Sequence, residues 1–210
     1  MVRVEEIEQV RSRVRIRLDD GSEYLLLRSV YQERPLQVNE AVDPEEYSRW
    51  VTLRQYRSAL EKAVSLLAVR ARGQGEIEQK LKSAGYAPET VEMVVLKLTR
   101  EGFLNDRDFA EQWVRHRSGQ KYGPRRIALE LRRKGVSSEE TESALAGLEE
   151  SRLLEDAAAL AGKSLARSKA GEDPGKTRQR ILTALVRRGY SWDIARQAVD
   201  RVLSDDSFPD

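Results

Sequence analysis

The residues best equipped for covalent or metal chemistry in this 210-residue chain are few and scattered. Nucleophilic, general-base and metal sites draw on histidine, cysteine or convergent carboxylates. His116 is the single histidine and cysteine is absent, which excludes thiolate nucleophiles, disulfides and His/Cys zinc sites. Gly73-Gln74-Gly75 lacks the Gly-Lys-Ser/Thr of a phosphate-binding loop and follows a helical rather than a strand pattern. Asp106 and Asp108 are neighbouring carboxylates, but Asn105-Asp106 at the start of a helical pattern is explained by N-capping. His116 is expected on a polar helix face. The chain is therefore expected to have no catalytic site and no cofactor or metal.

Positive charge is what the sequence concentrates. The net charge is only +2, but eight Lys or Arg and one acid, Glu130, lie between Arg115 and Lys134. Ser137–Asp156 reverses the sign, with seven acids and one arginine, and Gly175–Leu203 is basic again. Guanidinium and ammonium groups in such bands suit DNA phosphate or an acidic protein surface. The candidates are Arg115, Arg117, Lys121, Arg125, Arg126, Arg132, Arg133 and Lys134, with Arg178, Arg180, Arg187 and Arg188 further on. Either they form a contact surface or they are the solvated faces of helices. Tyr122 sits beside Lys121 and Arg125-Arg126, where it either stacks on a base or a partner, or anchors the loop before Gly123-Pro124. Phe109, Trp113 and Trp192 accompany helix-period apolar residues and are expected in the core or between units.

These residues ride on a repeat. Gly85, Gly135 and Gly189, spaced by 50 and 54 residues, align three segments. Ile77, Ile127 and Ile181 superpose, as do Leu81, Leu131 and Leu185, and then Val94, Ala144 and Ala198. In each segment a short helix ends at glycine, suited to a left-handed C-cap, and a third helix follows. Pro88, the Ser137-Ser-Glu-Glu140 capping box and Ser191 mark the third-helix starts. Residues 169–176 form a loop that supplies the longer spacing. Repeats of this kind stack into an elongated, curved array with a long binding face.

The first fifty residues differ. Val14, Ile16 and Leu18 alternate with Arg13, Arg15 and Arg17, a half-buried strand whose wet side carries cations. Asp19-Asp20-Gly21 turns it into Glu23–Leu27, and Val2–Glu5 offers a third strand. Val30–Arg34 is a short helix, Val38–Val42 a short strand or turn, and Asp43-Pro44 caps and opens another helix. The expected organisation is a β-rich module over 1–52, three-helix repeats over 53–104, 105–152 and 153–204, and a frayed acidic tail over 205–210. The class is mainly α, with helix-turn-helix-like units. The chain opens without a signal-peptide pattern and has no run approaching the roughly 20 apolar residues of a membrane span. A cytoplasmic protein without membrane contact is expected.

Phe103-Leu-Asn-Asp-Arg-Asp-Phe-Ala110, Trp113-Val-Arg-His-Arg117 and Gly123-Pro-Arg-Arg-Ile-Ala-Leu-Glu-Leu-Arg-Arg-Lys-Gly135 resemble the central motif of the RecX family, and Leu185-Val-Arg-Arg-Gly-Tyr190 fits its close. The resemblance covers about residues 56–203 and leaves the β-rich start without a role. It implies a small, non-enzymatic, bacterial regulator in DNA repair, and a monomer is expected. Such a regulator lodges along the groove of the RecA filament on single-stranded DNA, suppresses ATPase, strand-exchange and coprotease activity, and limits filament growth. The resemblance assigns no contact residues, so the thirteen candidates rest on charge and on Tyr122. Direct DNA binding through the helix-turn-helix-like units is the alternative.

Overall fold

The computed structural model describes residues 1–168 and 172–205. The chain forms two compact units, Met1–Asn105 and Asp106–Asp210.

The first unit begins with β1 (Val2–Val10), β2 (Arg13–Leu18) and β3 (Glu23–Leu27), then α1 (Arg28–Glu33) and β4 (Ala41–Val42). The strands form one antiparallel sheet in the order β3-β2-β1-β4. β1 is longer than the sequence suggested because the chain reverses at Arg11-Ser12, with Arg11 at φ +57°, where no glycine or asparagine announces a turn. Alternation then sorts the faces. Val4, Val14, Ile16, Leu18 and Leu26 are buried, while Arg15 and Arg17 point to the other side. That side is neutralised across strands: Arg15 pairs with Glu8 at 2.7 Å and Glu23 at 3.1 Å, and Arg17 with Glu6 at 2.7 Å. Arg13 instead donates to the Ser83 carbonyl at 2.8 Å.

α2 (Pro44–Val69) is capped as expected, the Asp43 carboxylate accepting from the Glu45 and Glu46 amides. It runs unbroken through residues 52 and 53, where the sequence reading separates the module from the first repeat. Its first half closes the sheet core with Tyr47 and Val51, and its second half supplies Ala59 and Ala63 to a helical core. α3 (Gln74–Ser83) and α4 (Pro88–Arg100) complete that core with Ile77, Leu81, Val91, Val94 and Leu98. The buried Gln55 amide oxygen accepts the Ala87 N–H at 2.8 Å, fixing α2 against the α3–α4 corner.

The second unit holds α5 (Asp106–Gly119), α6 (Pro124–Arg133), α7 (Ser138–Leu145), α8 (Glu150–Leu165), α9 (Pro174–Arg187) and α10 (Trp192–Asp205). Pro174 already opens α9, so the proposed 169–176 loop is helical at its end, and Lys169, Ala170 and Gly171 lie outside the described residues. Of the acidic tail, Asp205 closes α10 and residues 206–210 lie outside the described part.

The repeat persists in the hydrogen bonds. After α3, α6 and α9 the amides of Tyr86, Val136 and Tyr190 reach back to Leu81, Leu131 and Leu185 carbonyls at 3.2–3.3 Å. Gly85, Gly135 and Gly189 between them have φ of +82°, +82° and +101°. This is the Schellman arrangement, with the residue after each glycine buried against the leucine's helix.

Candidate partner-binding surface

α5 and α6 place the central basic run, and one carboxylate organises much of it. Glu130 accepts from Trp113 Nε1 at 3.1 Å, Arg117 Nε at 2.7 Å and Arg126 Nε at 3.1 Å. Burial opposes its charge, but the bonds from Arg117 and Arg126, with Trp113, outweigh that and hold its carboxyl below the ordinary 4.5. Arg117 is held more firmly protonated in return. Sequence reasoning had counted Glu130 only as the one acid in a basic run. The missed signal is spacing: Arg126 and Glu130 are i, i+4 on α6, and Trp113 and Arg117 are i, i+4 on α5.

Tyr122 is braced by two cations of its own unit. The Arg117 guanidinium lies 3.9 Å from its ring centre and that of Arg188 at 4.4 Å, so its π surface is already engaged. Arg188 also donates to the Lys121 carbonyl at 2.8 Å and the Gln120 carbonyl at 2.6 Å, capping the end of α5. Tyr190 Oη donates to the same Lys121 carbonyl, and burial pushes its phenol up to about 12. Lys121, at φ +60°, sends its ammonium 2.9 Å from Asp156.

The remaining candidates divide. Arg178 pairs with Asp200 at 2.5 Å, and Arg180 reaches Glu172, Ser164 and Ser168. Lys134 is half-buried, its ammonium 4.1 Å from the Trp113 ring centre. Arg115 is exposed and only 3.8 Å from Glu111. Arg125, Arg132, Arg133 and Arg187 are exposed, with no ion-pair partner among the described residues. Three of these four stand on α6 beside the exposed Leu129. The thirteen therefore do not form one patch: a structural network stitches the repeats of this unit, and α6 keeps a row of unneutralised guanidiniums. Phe109 is core, whereas Trp192 is 51% exposed. It opens α10 at the flank of the buried stripe made by Ile194, Ala195, Ala198 and Val199. His116 is exposed, as expected, with Gln120 beside it at 3.1 Å. No helix of the described residues is long and apolar enough to cross a membrane.

Comparison with known proteins supplies what charge alone does not. Three family models match: the first three-helix domain of RecX over residues 59–98, the second over 105–145 and the third over 150–199. A protein of Mycolicibacterium vanbaalenii named regulatory protein RecX is 34% identical over 178 residues, covering 82% of this chain and 91% of its own. The regulatory protein RecX of Mycolicibacterium smegmatis is 38% identical over 145 residues, covering 67% and 77%. A crystal structure of RecX from Lactobacillus salivarius superposes with a TM-score of 0.65 at 24% identity, over 72% of this chain and 99% of that one. A second crystal structure, of a regulatory protein RecX, covers 95% of this chain and all of its own, with a TM-score of 0.64 at 23% identity.

Proposed function

The chain belongs to the RecX family, and from that premise we propose that it is a non-enzymatic regulator. It docks along the filament that RecA forms on single-stranded DNA, restrains its ATPase, strand-exchange and coprotease activities, and acts as a cytoplasmic monomer in DNA repair. The observation that carries the reading is the row Arg125, Arg132 and Arg133 on α6: three exposed guanidiniums without an ion-pair partner among the described residues, in the second three-helix domain. Cations held by Glu130 or Asp156 brace the repeats of the second unit. Arg125, Arg132 and Arg133 remain available to an acidic protein surface or to phosphate.

The test is RecA-dependent ATP hydrolysis on single-stranded DNA. Wild-type protein is expected to inhibit it. The triple variant Arg125→Glu, Arg132→Glu, Arg133→Glu is expected to inhibit far less at unchanged helicity, while Arg57→Glu, a reversal of an exposed α2 arginine, inhibits normally. Undiminished inhibition by the triple variant would remove α6 from the interface.

The same exposed row on a helix-turn-helix-like unit supports a second reading, direct binding to duplex DNA. That reading requires tight binding without RecA and a log–log salt slope of about −0.9 per phosphate contacted, against about −0.7 on single strands.

A further inference from the structure

A groove of about 400 Å³ in the second unit runs along α9, between the α5–α6 turn and α8. Its lining includes Tyr122, Arg126, Leu160, Ser164, Ala184 and Arg187. The guanidiniums gather at one end. Arg187 and Arg188 close α9, and Arg126 packs there against Gly189. Away from that end stand the apolar Leu160 and Ala184, with Ser164, whose hydroxyl accepts from Arg180 at 3.1 Å, beside them, and, on the floor, Ile181 and Leu185, which are 1% and 3% exposed. Among the described residues no carboxylate lines the groove, whereas two grooves of the first unit mix signs, Glu78 and Glu92 with Lys82 in one, Glu45 and Glu89 with Arg49 in the other.

Charge and apolarity together select an occupant. We infer that this groove receives a peptide segment of the protein partner, one that presents a carboxylate to Arg126 and Arg187 and an apolar side chain to Leu160 and Ala184. On α9 the apolar Ala184 and the cationic Arg187 are one helical turn apart, about 5 Å of rise, a span that one or two extended residues cover. Phosphate would satisfy only the cationic end. A phosphate backbone gains little from Leu160 and Ala184, and a peptide with one acidic and one apolar side chain gains from both ends. Arg126 and Arg188 contribute without rearrangement, because Glu130 and the Gln120 and Lys121 carbonyls already hold them.

The inference rests on the proposed docking to the RecA filament, and Ala184 separates the two. Ala184 is exposed on α9, so Ala184→Arg fills the groove while adding positive charge. Ala184→Met fills it without charge. Binding is measured by sedimentation with RecA assembled on oligo(dT), and by anisotropy with labelled oligo(dT) alone. Both variants are expected to lose about tenfold in affinity for the filament, with Ala184→Arg holding oligo(dT) as well as wild type or better. Filament binding by Ala184→Arg that equals or exceeds wild type would overturn the peptide groove, since a phosphate-binding surface welcomes another guanidinium. Wild-type protein that ignores the filament would instead overturn the docking on which the groove depends, and the groove's assigned partner with it.

Discussion

Gly189→Ala is the most revealing single-atom perturbation of this protein. At φ +101° the residue lies where an L side chain is strained, which costs about 1–2 kcal/mol. The position is also closed. An added Cβ would stand 2.4 Å from Arg126 Cβ, 2.5 Å from the Arg126 amide nitrogen and 2.8 Å from the Gly123 carbonyl. These are backbone or near-backbone atoms and cannot swing aside, so relief must come from parting the α5–α6 turn from the α9–α10 corner. That parting stretches two hydrogen bonds, Gly123 N–H to Arg188 O at 3.0 Å and Arg125 N–H to Gly189 O at 3.1 Å. Overpacking or loss of these bonds adds about 1–3 kcal/mol, for a total of about 2–5 kcal/mol. Gly102→Ala is the internal control. Its φ of +76° carries the same kind of backbone penalty, but nothing lies within 4 Å of its added Cβ, so about 1–2 kcal/mol is expected. Urea unfolding followed by circular dichroism compares the two, and amide exchange at Arg125 reports the junction directly. If Gly189→Ala costs no more than Gly102→Ala, or Arg125 exchange is unchanged, the close approach of the two corners is wrong.

Leu131→Ala, at a fully buried position of the aligned leucines, should cost about 2–5 kcal/mol in the same unfolding experiment, and a loss below about 0.5 kcal/mol would contradict the repeat register. The Glu130 carboxylate is held below 4.5, so its contribution to stability is present at neutral pH and is lost as the pH falls through its lowered folded value. Thermal melts should accordingly show Glu130→Gln destabilised at neutral pH, with the gap to wild type narrowing below pH 4.5; a gap independent of pH would remove the charge from the argument.

The repeat was legible because its determinants are local. A leucine four residues before a glycine, with an apolar residue just after it, writes the Schellman corner into the chain three times, and Asp43, Ser137 and Ser191 cap where they were expected to. β1 beyond Glu5 was not legible, since Arg11-Ser12 carries no turn signature. Neither was the continuity of α2, because its apolar residues serve two different cores and follow no single stripe. The candidate surface was half legible. Composition showed that residues 115–134 are basic, but whether a cation braces the fold or faces outward depends on what stands opposite it. Arg117 meets Glu130 from another helix, Lys121 meets Asp156 thirty-five residues away, and the Arg125 guanidinium meets no carboxylate among the described residues. Tyr122 shows the same limit: its engagement by Arg188 is a tertiary event that no local pattern records.

The unbroken passage of α2 from the sheet to the first three-helix core makes it a keyed shaft. A loop between two cores would absorb an inserted residue. A helix transmits it, rotating everything beyond by about 100° and advancing it by about 1.5 Å. One residue added between Val51 and Ala59 would swing the sheet around the shaft. It would carry Arg13 away from the Ser83 carbonyl and, when placed after Gln55, break the bond from Ala87 to Gln55. The phase between sheet and helical core is thus held by the count of residues along one helix, so this stretch is bound in length as well as at its buried positions Val51, Gln55 and Ala59.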